Sequence, residues 1–150
     1  MEQMNNINSI TFDNIKNIYS LENKDIKTIS PLVFAYIGDS IYDLIIKSVL
    51  VGRGNVPVNK LHNKASSLVK AEAQVAMYEA IKDKLSEEEE SVFRRGRNAK
   101  SYTTAKNASK IDYRMATGNE ALMGFLYMSD KIDSIHELVS EGLKVVESSR

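Results

Sequence analysis

Apolar positions recur every three or four residues along almost the whole chain. Sustained apolar–polar alternation is absent, and no Asn-Gly or Asp-Gly pair signals a hairpin. The pattern predicts an all-α bundle. A short helix is expected over residues 11–19. Ser30-Pro31 starts the first strong helix, Ser as N-cap and Pro at the first helical position. It is expected to run to about Leu50 and to stop at Gly52 and Gly54. Pro57 opens further helix, with breaks, to Lys84. Ser86 and Glu89 form a capping box, and the helix they start is expected to end near Gly96. Residues 98–110 read as a loop rich in Ser, Thr, Asn and Lys. Helix resumes near Ile111 to Met128, and a last helix covers about 131–147. No repeat or low-complexity linker appears, so one domain over 1–150 is expected, with residues 1–10 loose.

Two carboxylates interrupt this pattern. In the helix after Pro31, Leu32, Val33, Tyr36, Ile37, Ile41, Leu44 and Ile45 make one broad apolar face, extended by Phe34, Ala35, Tyr42 and Ile46. A helix apolar nearly all round is expected to be central and buried. Asp39 lies in its middle, and burying a lone carboxylate is costly without a partner, a metal or a proton. Asp43 follows one turn on. Gly38, beside Asp39, costs about 1 kcal/mol relative to Ala inside a helix, which suggests close approach of another backbone. Glu120-Ala121-Leu122-Met123-Gly124-Phe125-Leu126-Tyr127 repeats the theme: one acid, one Gly a turn away, otherwise apolar. If the two helices cross at Gly38 and Gly124, Asp39 and Glu120 converge. Converging carboxylates without thiolates suit a hard divalent cation, Mg²⁺ or Mn²⁺. The bland alternative is that each acid faces solvent, pairs with a Lys or Arg, or is satisfied by Tyr36, Tyr42, Tyr113 or Arg114.

Composition narrows the chemistry. The chain has 150 residues, no Cys, 20 basic and 20 acidic residues, and a pI of about 6.7. Disulfides and thiolate metal sites are excluded, and a reducing compartment is the natural reading. The N-terminus is Asn-rich without a basic-then-apolar run, so no signal peptide is expected. Asp39, Asp43 and Lys47 interrupt the longest apolar stretch, which argues against a membrane span. A cytoplasmic protein is expected. Net charge says nothing for nucleic acid, but its distribution does. Glu87 to Glu90 are acidic, and Arg94, Arg95, Arg97, Lys100, Lys106 and Lys110 follow without an acid between them. A helix dipole accounts for acids first and bases last. It does not account for the continuation past Lys100, where bases among Ser, Thr and Asn suit phosphate and 2′-hydroxyl contacts. His62 and Lys64 are weaker candidates, and His136 reads as a surface residue. Two His in all make a His-based zinc site improbable. P-loop, GxSxG and HExxH motifs are absent, and the six Met read as core filler.

Ile37-Gly38-Asp39-Ser40 and Glu120-Ala121-Leu122-Met123-Gly124 resemble, in order, the two signatures of the ribonuclease III catalytic domain. The resemblance implies that Asp39 and Glu120 hold Mg²⁺, with Mn²⁺ able to substitute, and activate water against an RNA phosphodiester. Further acids of standard ribonuclease III are replaced by Leu32, Ala35 and Thr117, and no room is left after the last helix for a double-stranded RNA-binding domain. The Mini-ribonuclease III subfamily is the better match. It shares those losses, Ala35-Tyr36-Ile37-Gly38-Asp39, the Arg94-Arg95-Gly96-Arg97-Asn98-Ala99-Lys100-Ser101 block and the following Lys106-Asn107. The similarity spans about Pro31 to Leu138. It implies a ribonuclease III-like helical domain, homodimeric, that cleaves double-stranded RNA and matures the 23S ribosomal RNA precursor, with a ribosomal protein on the substrate as a further candidate partner. Duplex RNA would be held by Arg94, Arg95, Arg97, Asn98, Lys100, Ser101, Lys106 and Asn107. Asp43, His62 and Lys64 are supporting candidates. The competing readings are a non-catalytic double-stranded RNA-binding module of the same fold and an all-α scaffold without RNA.

Overall fold

In the computed structural model, residues 9–100 and 109–148 are described. Among them every regular element is helical: α1 (Phe12–Ile18), α2 (Pro31–Arg53), α3 (Val58–Val69), α4 (Ala71–Ile81), α5 (Glu87–Asn98), α6 (Lys110–Met128) and α7 (Ile132–Ser148), with short 3₁₀ turns at Ile26–Thr28 and Lys82–Lys84. The all-α expectation holds.

The polar caps foreseen in the sequence form. Ser30 Oγ accepts from Leu32 N at 3.2 Å with Pro31 at the first position. Ser86 and Glu89 complete a reciprocal capping box, Glu89 N to Ser86 Oγ at 3.1 Å and Ser86 N to Glu89 Oε1 at 2.9 Å. A cap not foreseen in the sequence, Ser109, accepts from Asp112 N at 3.0 Å and starts α6. The break within the 57–84 stretch falls at Lys70, whose extended backbone (ψ 160°) ends α3 and begins α4. Two side chains cap the carbonyls freed there: Tyr42 Oη donates to Leu68 O and Gln74 Nε2 to Val69 O, each at 3.0 Å.

The first strong helix stops at Gly54, its C-cap, as expected, but two other glycines do not end helices. Gly52 lies inside α2, which continues to Arg53. Gly96 lies inside α5, which continues to Asn98. Its reason is packing: a Cβ on Gly96 would sit 2.7 Å from Ala121 Cβ and 3.1 Å from Gly118 Cα of α6. Asn98 therefore closes a helix rather than opening a loop.

The core is built around α6, buried from Ala116 to Asn119 and from Ala121 to Tyr127. It packs along α2 and α5 and also meets α4, while α7 covers α4. Phe34, Tyr42, Ile46, Leu122, Met123, Leu126 and Ile135 are fully buried, and each such apolar side chain contributes roughly 1.5–3 kcal/mol. The expected burial of α2 on all sides is corrected. Its buried stripe is Phe34, Ala35, Gly38, Tyr42, Ile46 and Leu50. Val33, Tyr36 and Leu44, assigned to the core face, are 50%, 81% and 57% exposed. Hydropathy cannot tell a core face from a second apolar face that α6 does not reach. No described helix is long and apolar enough to cross a membrane.

Candidate active site

α2 and α6 touch backbone to backbone. A Cβ on Gly38 would fall on the carbonyl oxygen of Glu120 and within 2.7 Å of Gly124 N, and one on Gly124 would fall on the carbonyl of Phe34. Only glycine permits this approach. Asp39 follows Gly38, and Glu120 sits one turn before Gly124, so the crossing brings the two acids close enough for the charge of one to act on the other.

Their environments differ. Asp39 is exposed, correcting the expectation that it is buried in its helix, whereas Glu120 is largely enclosed. Burial pushes the Glu120 carboxyl up to about 8, a donated hydrogen bond from Gln74 opposes the rise, and the charge of Asp39 adds to it. Gln74 Nε2 donates to Glu120 Oε2 at 3.1 Å, and Asn119 Nδ2 donates to Gln74 Oε1 at 3.1 Å. Neither acid belongs to an ion pair among the described residues. The partner of Glu120 is thus a neutral amide, not one of the Tyr or Arg side chains considered from sequence. Tyr42 lies near, its phenol pushed up by burial and by the Glu120 charge, but it donates to Leu68 O.

An acid held near 8 by burial and by a second acid is short of positive charge. Two hard oxygen donors in that state fit a divalent cation. No group of three or more Asp, Glu, His or Cys suited to a metal occurs among the described residues, so water and substrate oxygens would supply the remaining ligands. Thr117, where standard ribonuclease III has an acid, is buried and its hydroxyl donates to Tyr113 O at 3.0 Å.

The supporting candidates have partners and settings of their own. Asp43 pairs with Lys47 at 2.9 Å, one turn on. His62 lines a pocket of about 280 Å³ with Lys47, Leu50, Val51, Val58, Leu61 and Ala65, beside the C-terminal half of α2. Lys64 is exposed on α3, and its carbonyl accepts from Ser67 Oγ. Gln74 and Asn119 escaped sequence reasoning altogether.

The basic block rides on the C-terminal half of α5, which packs on α6. Arg94, Arg95, Asn98 and Lys100 are exposed. Arg97 is half-buried, its guanidinium 6.0 Å from the Phe93 ring centroid and its Nε donating to Asn98 Oδ1 at 3.2 Å. Ser101, Lys106 and Asn107 lie outside the described residues.

The Ribonuclease III domain family matches residues 32–131, which include both acids and the basic end of α5. The Mini-ribonuclease 3 of Clostridium tetani is 44% identical over 127 residues, 84% of each chain. That of Thermoanaerobacter sp. is 41% identical over 133 residues, 89% of this chain and 94% of the relative. This chain belongs to the Mini-ribonuclease III family. It is an endoribonuclease, which removes the scaffold reading and the non-catalytic module. The crystal structure of a Fusobacterium nucleatum protein superimposes with a TM-score of 0.73 at 28% identity, covering 79% of this chain and 96% of that one. In this member of the Mini-ribonuclease III family, Asp39 and Glu120 stand where α2 and α6 cross, within the matched region.

Proposed function

We propose that this chain is a Mg²⁺-dependent endoribonuclease that cleaves double-stranded RNA, with Mn²⁺ able to substitute. The observation that carries the reading is the convergence of Asp39 and Glu120 at the Gly38–Gly124 crossing. When bound there, the cation supplies Lewis acidity and a more acidic water. Asp39, exposed, presents a carboxylate to solvent and substrate. Glu120, largely enclosed, would give up its proton to hold the cation, its carboxylate kept in place by the hydrogen bond from Gln74.

Arg94, Arg95, Arg97, Asn98 and Lys100, with Ser101, Lys106 and Asn107 beyond them, are assigned to the phosphate backbone. Duplex RNA is recognised mainly by shape and by backbone contacts. The arginines cannot lose their charge at any working pH. The proposed substrate is precursor 23S ribosomal RNA in the cytoplasm, with a ribosomal protein on that RNA as a further partner. The chain acts as a single domain over 1–150 and as a homodimer, so that two sites face two strands.

The test is cleavage of an end-labelled RNA duplex with and without Mg²⁺, beside Asp39→Asn and Glu120→Gln. The wild type is expected to cut only with the cation, and both variants are expected to stay folded and inactive. A variant that cuts at the wild-type rate would remove its residue from the site.

A further inference from the structure

Gln74 is a primary amide only 2% exposed, set among apolar side chains on α4. A buried amide costs stability unless its donors and acceptor are all used. Here they are: Nε2 donates to Val69 O and to Glu120 Oε2, and Oε1 accepts from Asn119 Nδ2. The arrangement fixes which end of the amide faces the acid. Turning Gln74 over would set its oxygen against both a carboxylate and a carbonyl. Turning Asn119 over would set two amide oxygens face to face. The fully buried Asn119 keeps its orientation although its own Oδ1 has no hydrogen-bond partner among the described residues. A methionine would fill the same space without these demands. The polar relay runs from α6 through α4 and back to Glu120.

We propose that Gln74, oriented by Asn119, is a positioning residue that holds the Glu120 carboxylate for a divalent cation. The proposal rests on the metal-dependent reading above and adds to it a residue outside the two acidic signatures. Groups that orient a metal-binding carboxylate matter nearly as much as the ligand itself, because an unheld side chain must be ordered each time the cation binds.

Wild type, Gln74→Met and Gln74→Glu separate this role from a structural one. Methionine keeps the volume and loses every hydrogen bond. Glutamate keeps the shape and the bond from Asn119 and replaces the two amide donors, which reach both Val69 O and Glu120 Oε2, with a carboxyl that carries at most one proton. Each protein is followed by thermal melting, by Mn²⁺ binding from electron paramagnetic resonance without RNA, and by steady-state cleavage of labelled duplex RNA. Both variants are expected to melt cooperatively above the assay temperature, with Mn²⁺ affinity and kcat each reduced about 10- to 100-fold. KM for the duplex is expected to stay at the wild-type value. Wild-type Mn²⁺ affinity and kcat in either folded variant overturn the proposal. Failure of both variants to fold overturns it too, since the amide would then serve the fold. Asp39→Asn, run alongside, keeps the two readings apart. Normal cleavage by that variant removes the metal site itself, whereas an inactive Asp39→Asn beside a fully active Gln74→Glu removes only the role of Gln74.

Discussion

Glu120 is where the residue scale and the chemistry meet. Its carboxyl titrates at about 8 against an ordinary 4.5, chiefly because it is buried. Between those values the folded state holds a proton that the unfolded chain has released. Stability in the absence of metal therefore falls as pH rises through that window, by at most roughly 1.4 kcal/mol per pH unit for one proton. Glu120→Gln removes the cost. In chelator at pH 8 this variant is expected to melt several degrees above wild type, since about 1 kcal/mol moves the midpoint by roughly 2–4 °C at this length. The gap should close toward pH 5. Mg²⁺ should raise the midpoint of the wild type and leave the variant unmoved, which calorimetry at both pH values would check. Equal melting of the two proteins at pH 8 would mean that the buried charge is already compensated. Asp39 and Glu120 could be read from sequence because a charge inside an apolar helix is conspicuous. Gln74 could not. An uncharged amide in a helix gives no signal, and its partners Glu120 and Asn119 are 46 and 45 positions away.

At the scale of elements, the crossing of α2 and α6 sets the distance between the acids. Gly38→Ala and Gly124→Ala each drive a methyl into backbone, which cannot rotate aside as a side chain can. Each is expected to cost about 1–3 kcal/mol or more and to lower kcat by displacing the carboxylates. Gly52→Ala is the control: it adds a methyl in open space inside the same helix and gains helix propensity. Thermal melts of the three variants decide the matter, and a neutral Gly38→Ala would contradict the crossing. This contact was legible because each glycine stands within a turn of an isolated acid. The role of Gly96 was not. Its position before Arg97 and Asn98 resembles a helix end, and only the closeness of Gly118 and Ala121 explains it. The boundaries set by Ser30, Ser86 and their hydrogen bonds were legible for the opposite reason, since a cap is local in sequence.

For the whole molecule, the proposed function calls on two surfaces, and they make different demands on the chain. Arg94→Ala with Arg97→Ala is expected to weaken duplex binding and to flatten its salt dependence by nearly one logarithmic unit per lost phosphate contact, measured by fluorescence anisotropy over a salt series. An unchanged slope would place the phosphates elsewhere. The second surface is the one that hydropathy alone misassigned to the core. Val33, Tyr36, Leu44 and Val51 stand on one side of α2 at helical spacing and are all exposed, and Val58 at the start of α3 is 79% exposed. Leaving such a stripe in water is unfavourable, and a second copy of the chain would cover it. Asp39 shares that helix, so pairing through the stripe would bring two sites close to one axis and suit cleavage of both strands of a duplex. Tyr36→Asp with Leu44→Asp leaves the buried stripe of Phe34, Tyr42 and Ile46 untouched. The double variant is therefore expected to fold with a wild-type helical content and to sediment as a monomer, where the wild type is expected to sediment as a dimer. Its cleavage of duplex RNA should fall with the dimer fraction and recover as protein concentration rises. A variant that remains dimeric would move the interface off this face, and an active monomer would show that one site is sufficient.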